Sequence, residues 1–155
     1  MTAHKFMHRF SSHLNAGFIV GKDALKLLSS PNEFYTHLLF GIRSSKTKIS
    51  FSTLYIGDGP QESLILQELQ NSVEKGVKLQ MILDGNRQSR SPESHRYIKQ
   101  NFQSARIGMY KNRVTRILGS LASSRAWEGF GVNHIKYYAF DDCVVLSGYL
   151  ISYNL

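Results

Sequence analysis

Residues 132–148, "VNHIKYYAFDDCVVLSG", contain two apolar runs that meet at the acidic pair Asp141-Asp142. Runs of this length and character read as strands, and a tight acidic turn between them makes an antiparallel hairpin, with strands over about 132–140 and 143–147. Polar side chains interrupt the first strand. On an extended chain His134 and Lys136 point to one side, while Ile135, Tyr137 and Ala139 point to the other. Asp141 is out of phase with that pair and lies at the turn, where it can approach a different histidine or the turn backbone. Imidazole acts as nucleophile or acid–base near neutral pH, and ammonium holds a phosphate oxygen. A carboxylate orients a histidine and stabilises its cation. These three groups together suit attack on a phosphodiester.

Upstream of the hairpin, strand and helix patterns alternate. "SPNEFYTHLLFGI" opens with Ser30 and Glu33 in capping-box spacing and Pro31 at the first helical position. Phe34, Leu38 and Ile42 then share a face, which predicts a helix over about 31–44. "KISFSTLYIG" places Ile49, Phe51, Thr53 and Tyr55 on one side, the period of a strand. A helix follows from Pro60, striped by Ile65, Leu69 and Val73 and stopped at Gly76. "VKLQMILD" alternates again, a second capped helix is expected at Ser91-Pro92, and "SARIGMY" reads as a further strand. "NRVTRILGSLAS" has the pattern of a short amphipathic helix or lid.

The expected fold is therefore α/β: a mixed, mostly parallel sheet flanked by helices. Residues 1–14 form a flexible basic N-terminus, free of acidic residues, and 15–155 form one domain. The three histidines of that N-terminus, His4, His8 and His13, have no carboxylate or cysteine beside them and are not read as a metal site. A single cysteine, Cys143, excludes an intrachain disulfide and a cysteine zinc site, and it is expected in the core. No apolar run approaches the roughly 18 residues that span a bilayer. The formal charge of +8 favours anionic partners: phosphates, nucleic acid or acidic lipid heads.

A second block, "LDGNRQSR", ends a strand at Asp84 and follows it with Arg87 and Arg90. Ligands bind at strand ends of α/β sheets, and paired arginines suit phosphate, although a solvated basic loop has the same composition. Tyr55, Gly57 and Glu62 are weaker candidates for a pocket floor. Lys111, Arg113 and Arg116, and the aromatics Trp127 and Phe130, are readable as lipid-facing groups or as ordinary surface and core.

His134, Lys136 and Asp141 in His-x-Lys-x4-Asp spacing, with six residues between Asp141 and Gly148, resemble the catalytic half-motif of the phospholipase D superfamily. Within it the chain is most similar to the amino-terminal half of the eukaryotic phosphatidylglycerophosphate synthases. Four blocks appear in the same order: "SSPNEFYTHLL", "ISFSTLYIG", "LQMILDGNRQSR" and "VNHIKYYAFDDCVVLSG". The resemblance implies a phospholipase D-like half-domain that lacks its last helix and strand. It implies His134, Lys136 and Asp141 as catalytic residues and Asp84, Arg87, Arg90, Ser147 and Gly148 at the substrate. It further implies CDP-diacylglycerol and glycerol 3-phosphate as substrates, a phosphohistidine intermediate, no metal or other cofactor, and peripheral attachment to the mitochondrial inner membrane. Two departures stand out. Where the family continues after the glycine with a small residue and an asparagine, this chain has Tyr149 and Leu150. Superfamily enzymes also unite two such motifs, whereas this sequence carries one. A partial or inactive synthase, a homodimeric single-motif nuclease and a non-catalytic module binding anionic lipid all fit that count. The second motif would come from a second copy or from a missing carboxy-terminal half.

Overall fold

The structure is a computed structural model that describes residues 20–111 and 132–148. Its sheet is organised by apolar residues two apart. Ile49 and Phe51 on β1 (Lys48–Ser52) stand beside Leu79 and Met81 on β2 (Lys78–Asp84), in parallel register. Met81 and Leu83 stand beside Ile107 and Met109 on β3 (Arg106–Tyr110), also parallel. On the other side of β1, Phe140 and Tyr138 of β4 (Tyr137–Phe140) pair antiparallel with Ile49 and Phe51. β5 (Cys143–Leu146) closes the hairpin, giving the strand order β3-β2-β1-β4-β5.

Three helices, α1 (Pro31–Ser44), α2 (Pro60–Glu74) and α3 (Pro92–Asn101), present the stripes that bury this face. Phe34, Leu38 and Ile42 from α1, Ile65 and Leu69 from α2, and Ile98 from α3 join the sheet residues in one cluster. Burying such a side chain fully stabilises the fold by roughly 1.5–3 kcal/mol. Tyr138 sits at the centre: Phe51 meets it edge-on at 4.9 Å and Phe34 at 5.6 Å. Its burial pushes the phenol pKa up to about 12, and its hydroxyl lies 3.4 Å from that of Thr53.

Among the described residues the expected helices, strands and mixed, mostly parallel sheet are present; the local details differ. Ser30 caps α1 by accepting from the Glu33 N–H at 3.1 Å. The Glu33 carboxylate reaches back one residue further than a reciprocal capping box requires, to the N–H of Ser29 at 2.9 Å. Gly76 ends the second helical region in the left-handed conformation, φ 91°, as its position predicts. Ser91 makes no side-chain cap for α3. Asp58, from the loop after β1, takes the N–H of Ser94 at 2.7 Å and of Glu93 at 3.3 Å instead. Cys143, expected in the core, is exposed, because β5 is the edge of the sheet. The first hairpin strand starts at Tyr137 rather than near residue 132, for reasons that belong to the site. The basic N-terminus, the amphipathic stretch from residue 112, Trp127 and Phe130, and residues 149–152 lie outside the described residues.

Because α3 is capped by a residue distant in sequence, Asp58→Ala should lower stability by about 1 kcal/mol. A urea titration would show a lower midpoint at unchanged slope, and Ser91→Ala should cost less. Equal costs for the two variants would remove Asp58 from the capping role.

Candidate active site

β1 and β2 are parallel, so their carboxyl ends lie side by side, and Ser52 at the end of β1 pairs with Tyr137 at the start of β4. The residues just before β4 are therefore delivered to the carboxyl end of the parallel strands. Residues 133–136 run extended there without a ladder, because their polar groups are held by the strand ends. Asp84, the last residue of β2, is 2% exposed. One of its oxygens accepts the N–H of Asn86 at 2.8 Å, and the other the N–H of Asn133 at 2.7 Å. The Asn133 amide donates to the Ser52 hydroxyl at 3.2 Å, and that hydroxyl donates to the Ile135 carbonyl at 3.3 Å. The Ser147 N–H reaches the Lys136 carbonyl at 3.3 Å, which brings the end of the hairpin back to the same place.

Held in this way, His134 is exposed and Lys136 is buried beneath it. The Lys136 ammonium donates to the His134 carbonyl at 3.0 Å and lies 3.1 and 3.2 Å from the two imidazole nitrogens. The expected pair thus faces one way, as alternation requires. Burial lowers the pKa of the Lys136 ammonium, since no carboxylate among the described residues pairs with it.

Asp141 is not with them. It follows β4, a strand length away at about 3.4 Å per residue. Its carboxylate accepts the N–H groups of Lys46, Thr47 and Lys48 at 2.8, 3.0 and 2.8 Å, together with the Thr47 hydroxyl. These bonds, the Thr47 hydroxyl first, hold its pKa well below the usual carboxylate range. Of the two partners open to it from the sequence, a histidine or the backbone, Asp141 takes the backbone, that of the α1–β1 loop. Asp84, expected at the substrate, directs both oxygens to backbone N–H groups and so acts on His134 through Asn133. Arg87 lines a narrow cleft with Asp84, and Arg90 ends the short turn Gln88–Arg90, exposed. Gly148 is exposed beyond β5. Ser52 and Asn133 escaped the sequence reading. The available signal was a serine on a strand otherwise buried on both faces.

The described residues thus form a mixed α/β sheet that carries a His-Lys pair at the carboxyl end of its parallel strands. The family model described as the PLD-like domain of cardiolipin synthase matches residues 38–155, and the chain belongs to this phospholipase D-like family. A probable CDP-diacylglycerol–glycerol-3-phosphate 3-phosphatidyltransferase of Dictyostelium discoideum is 33% identical over 84% of this chain and 24% of its own length. The mitochondrial enzyme of that name from Cricetulus griseus is 33% identical over 92% of this chain and 29% of its own. The chain thus spans less than a third of the length of these curated relatives. The crystal structure of phosphatidylserine synthase from Haemophilus influenzae superposes with a TM-score of 0.69 at 23% identity, over 94% of this chain and 33% of that one. That likeness establishes the fold.

Asp84→Asn keeps the shape but supplies one acceptor oxygen where two are used, leaving a buried N–H without its partner. It should cost about 1–3 kcal/mol in urea unfolding. Asp141→Asn keeps a residue tolerant of the φ of 48° found there. Its native pKa is depressed, so the carboxylate's contribution is present above the unfolded value near 3.9 and fades as pH falls below it. The thermal midpoint of Asp141→Asn should lie below that of the parent at pH 7, and the gap should close below about pH 4. A gap unchanged by pH would show that the charge contributes nothing.

Proposed function

We propose that this chain supplies the nucleophilic half of a phosphatidyl-transfer centre that uses CDP-diacylglycerol and glycerol 3-phosphate. The observation that carries the reading is the buried Lys136 ammonium, satisfied by His134 alone among the described residues. A phosphate oxygen entering above the imidazole provides the counter-charge that the fold withholds, and returns to Lys136 the affinity for its proton that burial removes. A ring nitrogen of His134 attacks the phosphorus that bears diacylglycerol. The bond to the CMP oxygen breaks with its electron pair, and CMP leaves carrying a proton from an acid. The glycerol 3-phosphate hydroxyl then attacks the same phosphorus, giving its proton to that group's conjugate base, and the nitrogen–phosphorus bond breaks to restore His134. The acid is the histidine of a second motif, from another copy of the chain or from a carboxy-terminal half. Asp84, through Asn133, fixes the nucleophile's position, since small displacements at a reacting atom lower rates steeply. Asp141 keeps the hairpin in register, and Arg87 and Arg90 line the approach for phosphate.

The relatives named mitochondrial support a mitochondrial location, and the charge of +8 supports peripheral contact with anionic lipid of the inner membrane. Among the described residues no helix is long and apolar enough to cross a membrane.

Incubation with CDP-diacylglycerol carrying 32P in the diacylglycerol-linked phosphate tests the reading. Acid-labile label should appear on His134 with release of CMP, be absent from His134→Ala, and form about 10²–10³-fold more slowly in Lys136→Ala. Absence of both label and CMP from the folded chain, assayed alone and again with a carboxy-terminal half that carries the second motif, would overturn it.

A further inference from the structure

A groove of about 450 Å³ lies between α3 and the edge strand β3, away from the His-Lys pair. This is the scale of a small-molecule site and holds about fifteen waters at roughly 30 Å³ each. Its apolar lining comes from Ile98 and Phe102 on the helix side and Ile107 and Met109 on the strand side. Its rim is basic: Lys99 lies in the last turn of α3, Lys111 just follows β3, and none of the described residues that line it is acidic. The stem of Lys111 packs over Gly85, where a Cβ would come within 2.9 Å of it, beside the loop that follows Asp84. Gln88, His95, Ile98 and Met109 also line the narrow cleft of Asp84 and Arg87, so groove and cleft are adjacent and share these side chains as a wall.

An apolar trough with a cationic rim is complementary to one kind of occupant, an alkyl chain bearing an anionic head. We propose that this groove seats one acyl chain of an anionic phospholipid, with Lys99 and Lys111 beside its head. The choice of lipid rests on the phosphatidyl-transfer reading; the groove, its lining and its charge do not.

The test uses the whole chain, with cis-parinaric acid as fluorescent probe and alkyl phosphates as competitors. Dodecyl phosphate should displace the probe, and each methylene removed should weaken it about fourfold. Inorganic phosphate should not compete. Lys99→Glu/Lys111→Glu, both at exposed positions, should bind dodecyl phosphate at least tenfold more weakly at an unchanged urea midpoint. Ala105→Trp, which fills the groove, should lose binding, and His134→Ala should keep it. Equal affinity in the double variant, or competition by inorganic phosphate as strong as by dodecyl phosphate, would overturn the assignment. Histidine labelling separates the two readings. Normal labelling with no alkyl phosphate binding defeats the groove alone, while groove binding without labelling defeats the transfer reading and leaves the groove in place.

Discussion

The arrangement of the functional end of this molecule depends on one buried carboxylate. Asp84 sits at the last position of β2 and accepts two backbone N–H groups, one from its own loop and one from Asn133, 49 residues on in sequence. A buried carboxylate is tolerable when its oxygens are hydrogen-bonded, and here the same bonds join the parallel part of the sheet to the hairpin. Without that link, nothing in the propensity of residues 133–136 would place His134 over the strand ends. The reactive pair is positioned through main chain, which resists rotation better than a side-chain contact does.

The two ends of the sheet have different work. At the carboxyl end of β1 and β2, a buried ammonium lies beside an exposed imidazole, and among the described residues no carboxylate pairs with it. At the opposite end, Asp141 gathers three N–H groups and a hydroxyl from the α1–β1 loop. The His-Lys pair and the Asp141 hydrogen-bond cluster lie at opposite ends of the same short strand.

Much of this was legible beforehand, because periodicity reports burial directly. Leu79, Met81 and Leu83, or Phe34, Leu38 and Ile42, announce their faces by spacing alone. The side-by-side placement of His134 and Lys136 follows from the alternation of an extended chain. What sequence spacing cannot carry is pairing between loops distant along the chain. Ser91 has the composition of a cap, yet Asp58 arrives from 36 residues away and takes the N–H of Ser94. Asp84 reads as a ligand-binding carboxylate until Asn133 is seen against it. Asp141 left open a choice between a histidine and the backbone, and the neighbouring α1–β1 loop decided it. The early end of alternation at Tyr137 has the same origin, since residues 133–136 satisfy their polar groups with strand ends rather than with a ladder.

The four residues between Lys136 and Asp141 are Tyr137–Phe140, the whole of β4. The spacing within the motif is therefore a ruler laid along one strand, pinned at one end by Asp84 through Asn133 and at the other by Asp141. A strand shifted by a single position turns every side chain to the opposite face. With both ends fixed, Tyr138 and Phe140 must point into the core while Lys136 stays beneath the imidazole. What reads along the sequence as a motif of three residues is, in space, a His-Lys pair and, a strand length away, the carboxylate that keeps their strand in step.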